Sequence, residues 1–540
     1  FCLSRGLGDV YKRQAKVSVA GKSYTALTKA ISINGQTIDI TLDKTQLTSL
    51  NRLISRRGGN TVQEIELTFK AKIREGADLT KYKKNGVVNI PNTADVILND
   101  KKKTSKEVTV TPPKPKEPSV GKKINESLDD YQTFDGQPYN YNITAAVPSD
   151  AASYKKFVIS DTLDNDLEFA GDVTIKGEAA ALFDIQKNGQ TVTATVKEGK
   201  FQDLAKYSYI ELQIPAKVKN GVSGRVIENK ARINFTNENN QEKEVESNPV
   251  RVTPPPVSKK INEKLDEATI AASTDFNYNV KSKLPNDITT YKSYVISDTL
   301  DENLEAGKAV IKGDAAKFFD VTVAGNTVTA TMKDFARAED LANKEVELVI
   351  TAKVKKESTV PVIENKAKVT YTNKNDQGGE KETEPVRVTP PPVSKKVNNQ
   401  EHADLGSLRE TFNYDVESKI PDVADKFEIS DELVPELTFD GQATVQIDGK
   451  EVKDATVKTA GQKLTVTFEK DQIAAYAGKT VRVHFGAKIK DGVSYDALLA
   501  KYPNDTGDKP AVPNKASYQV NDNPDSKKET SPVTVTPPPT

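Results

Sequence analysis

Three times in this chain a lysine, an aspartate and an asparagine recur in the same order, each inside a short run of β-branched and aromatic residues. Alternate side chains of a strand share a face. In Val257–Ile261 that face carries Val257, Lys259 and Ile261, so a lysine points into apolar company. Tyr294, Ile296, Asp298 and Leu300 turn an aspartate inward in the same way, and Ile363, Asn365, Ala367, Val369 and Tyr371 do so for an asparagine. Burying such groups singly is costly, so the three are expected to have found one another. Lys122, Asp161 and Asn229 form a second set and Lys395, Asp431 and Asn514 a third. Lysine and aspartate lie 39, 39 and 36 residues apart in chain order, and lysine and asparagine 107, 106 and 119. The first strand of each unit is therefore predicted to meet its last.

These sets divide the chain. Full units are expected at about 118–255, 256–391 and 392–538, closing on PVRVTPPP, PVRVTPPP and PVTVTPPP. Proline runs favour extended polyproline II and act as short, semi-rigid spacers, which predicts end-to-end stacking into a rod. Within a unit, short runs rich in Val, Ile, Thr, Phe and Tyr alternate with turn signals such as Asn188-Gly189 and Asp448-Gly449. That pattern predicts an all-β fold of tandem antiparallel sandwiches rather than βαβ units. Helical turns are expected at 201–208, 335–344 and 470–479.

Residues 15–113 parallel only the back half of a unit. INGQTIDITL (33–42) matches KNGQTVTATV (187–196), ELTFKAKI (66–73) matches ELQIPAKV (211–218), and IPNTADVIL (90–98) matches IENKARINF (227–235). Asn92 is then an unpaired remnant, and this segment is expected to be the least stable. Residues 1–14, FCLSRGLGDVYKRQ, resemble a translated sequencing-adapter artefact and are set aside. Both ends of the chain are expected to be truncated.

Composition mainly excludes. A net charge of zero argues against nucleic acid. No run approaches the roughly 20 apolar residues of a membrane span, and the single Cys2 excludes a disulfide framework. With His402 and His484 far apart, neither a metal site nor a His-based nucleophile is expected, and no cofactor is called for. The acidic turns at Asp164–Asp166 and Asp301-Glu302 read as solvated turns rather than Ca²⁺ sites.

The order V-x-K, I-S-D-x-L, [IV]-x-N-x-A resembles the isopeptide-forming fimbrial domains of Gram-positive pilins and wall-anchored adhesins. It covers 118–538 in three copies, with Val512-Pro513-Asn514 departing slightly in the last. The resemblance implies an Ig-like fold and a spontaneous amide bond between Lys122 and Asn229, Lys259 and Asn365, and Lys395 and Asn514. Asp161, Asp298 and Asp431 would assist as buried acids. The inward lysine must be neutral to attack, and burial can lower its pKa by up to about 3–5 units. Each domain would react once, so the chain is not a turnover enzyme. The plainer alternative is a buried salt bridge with the asparagine as hydrogen-bond partner. Ala231, Ala367 and Ala516, on the face of the asparagine, would leave room beside a bond, while Lys123, Lys260 and Lys396 should face solvent.

The function expected on this basis is a structural stalk segment of an extracellular, cell-wall-attached adhesin or fimbrial protein. Its host or bacterial ligand would be met by a tip outside this sequence, and its wall anchor would follow the C-terminus. The alternative is a glycan- or protein-binding sandwich without crosslinks. A hydrolase would need a separate nucleophile or carboxylate set, and none is legible. Lys501-Tyr502-Pro503-Asn504 resembles the pilin motif whose lysine a sortase joins to the next subunit, with the lysine displaced ahead of Tyr-Pro.

Overall fold

Alternation is written directly into the strands. Tyr209–Val218 and Glu345–Val354 bury every second residue along ten positions, which fits one face on a core and one toward water. The computed structural model describes all residues except 1, 5–8, 11–14, 20, 24, 57–63, 75–76, 114–115, 223–224 and 239. The expectation that residues 1–14 are foreign bears mostly on residues outside this described set.

The chain divides into two compact units: Phe1–Tyr131 with Pro138–Val222 and Val226–Val252, and Gln132–Gln137 with Ser223–Arg225 and Thr253–Thr540. The protein is all-β, built from tandem Ig-like antiparallel sandwiches.

In the second unit, one sandwich pairs a sheet ordered Val257–Ile261, Phe276–Lys283, Glu345–Val354, Leu304–Ile311 with another ordered Phe319–Ala324, Thr327–Met332, Tyr291–Thr299, Ala367–Asn373, Gly378–Glu382. Tyr278, Leu348 and Ile350 from the first sheet and Tyr294, Ile296, Ala330 and Val369 from the second share one buried core. A small third sheet joins Ile363–Asn365 to Val386–Thr389 antiparallel, and Glu267–Thr269 to Val386–Thr389 parallel.

The next sandwich of this unit, from Val393 to Thr536, repeats the arrangement and adds one edge strand, Lys450–Val452, to its first sheet. The two are tied together. Asp422 accepts a hydrogen bond from the Thr269 N–H at 2.6 Å and donates its own N–H to the Thr269 carbonyl at 2.8 Å. The proline spacer is also anchored, because Ser418 Oγ donates to the Pro392 carbonyl and Tyr518 Oη to that of Pro391, each at 2.8 Å. The turn Asp448-Gly449 places both residues at positive φ, as a type I′ hairpin demands.

The first unit holds a sandwich of the same order, between Val120 and Val252, and the segment 15–113. Strands of that segment, with Cys2–Ser4 from the residues before it, form a sheet ordered Lys101–Thr104, Ile90–Leu98, Cys2–Ser4, Thr37–Ile40, Ile31–Asn34. Lys16–Val19 separately pairs Ile65–Thr68.

Of the expected helical turns, Phe201–Leu204 and Lys470–Tyr476 are α-helical, and 335–344 breaks into two 3-10 turns at Phe335–Arg337 and Glu339–Leu341. Among the described residues three α-helices have no counterpart in the sequence reading: Thr25–Thr28, Lys44–Arg56, and Tyr495–Lys501 in the longer Asp–Asn interval of the last sandwich. Ser494 caps the latter by accepting from the Ala497 N–H.

Candidate functional site

Each inward lysine lies on the first strand of its sandwich, each aspartate in the middle of the opposite sheet, and each asparagine on a three-residue strand paired with the last. The registers match: Asn229 opposes Val250, Asn365 opposes Val386 and Asn514 opposes Val533. The insertion in the last copy folds outside this ladder and leaves the register of Asn514 unchanged. Lysine strands reach across to the closing strands, as Val257–Ile261 does to Ala367–Asn373 and Val386–Thr389.

In all three sandwiches the lysine Nζ donates a short hydrogen bond to one aspartate oxygen: Lys122 to Asp161, Lys259 to Asp298 and Lys395 to Asp431. All nine triad side chains are buried. In the last, Asn514 Nδ2 donates to Asp431 Oδ1 at 2.9 Å. In the other two, the carboxamide nitrogens of Asn229 and Asn365 and the second oxygens of Asp161 and Asp298 are buried without a hydrogen bond. Native interiors seldom leave such atoms unpaired, and these lie where a reaction between carboxamide, amine and acid would consume the unmet demand. Ala231, Ala367 and Ala516 sit directly opposite the three aspartates in the sheet and are buried, so nothing bulky fills the space beside the asparagine.

A fourth member was not singled out in the sequence. The rings of Tyr141, Tyr278 and Tyr414 lie under the lysine Nζ atoms, with centroids 4.2, 4.0 and 4.0 Å away. They belong to the repeated phrases Tyr139-Asn-Tyr141, Phe276-Asn-Tyr278 and Phe412-Asn-Tyr414. That repeat was legible, but the ring's place under the lysine depends on pairing between strands: Ile124 with Tyr141, Ile261 with Tyr278, Val397 with Tyr414.

Burial dominates the electrostatics. It lowers the pKa of all three lysines against the attraction of their aspartates, taking Lys259 to about 8. It raises the pKa of Asp161, Asp298 and Asp431, opposed first by the lysine charge. Amine and carboxyl are thereby brought toward their neutral forms, which is what an attack on a carboxamide requires.

The other candidates are placed as follows. Asn92 opposes Val108, the register of the three reactive-type asparagines, but is only half-buried. Lys123 and Lys396 are exposed and Lys260 pairs at the surface with Asp266. His402 and His484 are strand residues bonded to Thr534 and Asp415. Asp164 and Asp301 bond the N–H two residues on, closing their own turns. Lys501 donates to Glu436 at 2.5 Å, and Tyr502 Oη to the same carboxylate at 2.7 Å. Among the described residues no group of three or more His, Cys, Asp or Glu is placed to hold a metal ion, and none of the described helices is long and apolar enough to cross a membrane.

A family model for the cell surface antigen I/II C2 terminal domain matches residues 115–250. Platelet adherence protein A of Streptococcus gordonii is 56% identical, over 98% of this chain and 18% of its own length. The chain thus spans under a fifth of that relative. Among solved structures, the C-terminal domain of the antigen I/II polypeptide BspA from Streptococcus agalactiae is 15% identical, covering 52% of this chain and all of that one, with a TM-score of 0.36. The major pilin subunit BcpA of Bacillus cereus is 24% identical, covering 60% of this chain and 82% of that one, with a TM-score of 0.26. The fold described above rests on the strand pairings, not on these scores. The family model describes a cell surface antigen domain and covers the first complete sandwich of this chain.

Proposed function

We propose that this chain is a stalk segment of a Gram-positive cell-surface adhesin whose three complete sandwiches each crosslink themselves by a lysine–asparagine amide bond. The observation that carries this reading is the triply repeated buried triad, with its neutral-leaning amine and acid and, in two of the three copies, a carboxamide nitrogen that has no hydrogen-bond partner. The name of the 56% identical relative points to adherence, and for this segment we take the coarser role of a structural part of such a protein. Attachment to the wall and contact with a host or bacterial ligand would belong to other parts of the molecule.

In the reaction, lysine Nζ attacks asparagine Cγ. The aspartate, holding one proton, steadies the carboxamide and passes that proton to Nδ2. The Nζ–Cγ bond forms, the Cγ–Nδ2 bond breaks, and ammonia leaves with the amine's surplus proton returned to the carboxylate. The tyrosine ring keeps water from the amine, and folding supplies proximity.

Each bond removes one ammonia, about 17 Da, so denatured intact mass should fall about 51 Da below that calculated from the sequence. The full calculated mass would leave only buried polar clusters and favour a binding module without crosslinks.

Amine and acid together hold one proton in the competent state. Above about pH 8, where Lys259 gives up its proton, the pair holds none and Asp298 cannot protonate the leaving group. Chain recovered unfolded from inclusion bodies and refolded at pH 7 to 10 should therefore close the middle bond about tenfold more slowly per pH unit above that value. A rate that still rises to pH 10 would remove the aspartate as acid.

A further inference from the structure

In each complete sandwich the stretch that carries the asparagine passes from one sheet to another within a single residue. Ile227–Asn229 pairs with Val250–Thr253 in the small sheet, while Ala231–Thr236 pairs with the aspartate strand and with Glu242–Glu246, so only Lys230 lies between the two ladders. The register slips by one here. Arg232 opposes Glu246 and Asn229 opposes Val250, which sets the single residue Lys230 against both Asn248 and Pro249. Lys368 with Glu382 and Asn365 with Val386 repeat the slip, as do Ser517 with Glu529 and Asn514 with Val533. Two residues facing one make a β-bulge, which breaks a ladder and re-aims the side chains beside it.

At each bulge one hydrogen bond changes hands. Ser247, Thr383 and Thr530 donate their N–H groups to the carbonyls of Ala231, Ala367 and Ala516 at 2.9, 2.9 and 2.8 Å, as an antiparallel ladder requires. The alanine N–H in return meets the side-chain hydroxyl of the same residue, at 2.8, 3.0 and 3.0 Å, in place of the carbonyl that a regular ladder supplies. All three hydroxyl residues and all three alanines are buried. Each alanine also stands opposite the aspartate and two residues from the asparagine. The hydroxyl therefore fixes the shortest backbone link between carboxamide and acid.

We propose that Ser247, Thr383 and Thr530 are positioning residues for the crosslink, each hydroxyl locking the bulge so that the neighbouring asparagine holds its carboxamide against the lysine amine and the aspartate. This rests on the crosslinking reading given above. The hydroxyls exchange no bond in the reaction and act through the backbone. A displacement of about 1 Å in a reacting group can cost about a hundredfold in rate.

The test follows ammonia loss by denatured intact mass while the full chain refolds from denaturant, with fragmentation assigning each loss to its sandwich. Thr383→Val keeps the shape of the side chain and removes the hydroxyl, so the middle bond should close about tenfold more slowly or worse, while the first and third keep their rates in the same molecules. Thr383→Ser returns the hydroxyl and should return the rate. The slowed reaction should keep the pH dependence of the unmodified one, because this hydroxyl carries no proton in the mechanism. Hydrogen exchange separates positioning from stability when read in Lys259→Arg chains with and without Thr383→Val, neither of which has the middle bond. Amides of Tyr291–Thr299 and Glu345–Val354 should be equally protected in the two. Ser247→Ala repeats the test in the first sandwich, should Thr383→Val not fold. A normal closing rate in either variant, or slow closing that comes with lost core protection in both sandwiches, overturns the proposal and leaves the crosslinking reading standing. No ammonia loss from the unmodified chain overturns that reading itself.

Discussion

Pulled between its ends in a single-molecule instrument, the chain is expected to give no unfolding step from the stretches 122–229, 259–365 and 395–514. Each amide bond would join the first strand of a sandwich to its closing strands, so force passes through a covalent bond and bypasses the core between. Lys259→Arg changes this for the middle sandwich alone. Arginine keeps a cation beside Asp298 but stays protonated and cannot attack. The 106 residues from 259 to 365 then become extensible, giving a new step of about 350 Å at roughly 3.3–3.6 Å per residue. The same variant loses the closed loop, worth about 4–5 kcal/mol by the chain-entropy argument, and should melt earlier in that sandwich only. Three such steps from the unmodified chain would rule out a load-bearing role for the bonds.

Asp298→Ala is expected to stop the middle bond while leaving the other two intact, so the mass deficit falls from about 51 to about 34 Da. Removing a positioned acid typically costs 10²–10⁴ in rate. The variant also leaves Lys259 buried without its ion-pair partner, at a cost of about 3–5 kcal/mol if the lysine remained charged. Burial already lowers its pKa, so it can shed the proton instead and the sandwich should still fold. Asp298→Asn separates the two effects, because it fills the same space beside Ala367 but has no acidic proton. If the third ammonia leaves either variant at the unmodified rate, Asp298 is a packing partner and not the acid.

Much of the site was legible before any coordinates. Strand alternation decides which of two neighbouring lysines is buried, and Lys259 against Lys260 follows from that alone. The triple repetition turned three costly inward groups into one expectation about contact. The 119-residue interval in the last copy would shift Asn514 out of register if its added residues joined the strands. It does not, because the added residues form a capped helix, Tyr495–Lys501, outside the ladder, and the pairing of Asn514 with Val533 is set by the strands on either side. The helix Lys44–Arg56 falls between the strand phrases 33–42 and 66–73, where the parallels between copies carry no signal for it.

The sequence by itself determined the strand faces, the repeat and the identity of the nine polar groups that share three cores, since these depend on a two-residue period and on local composition. Tertiary structure alone decided that Tyr141, Tyr278 and Tyr414 lie under the lysines. It also decided that Asn514 stays opposite Val533 despite the longer interval before it. These are facts of pairing between segments far apart in the chain. A strand's own period says which side chains point inward, and only its neighbours across the sheet say what they meet there.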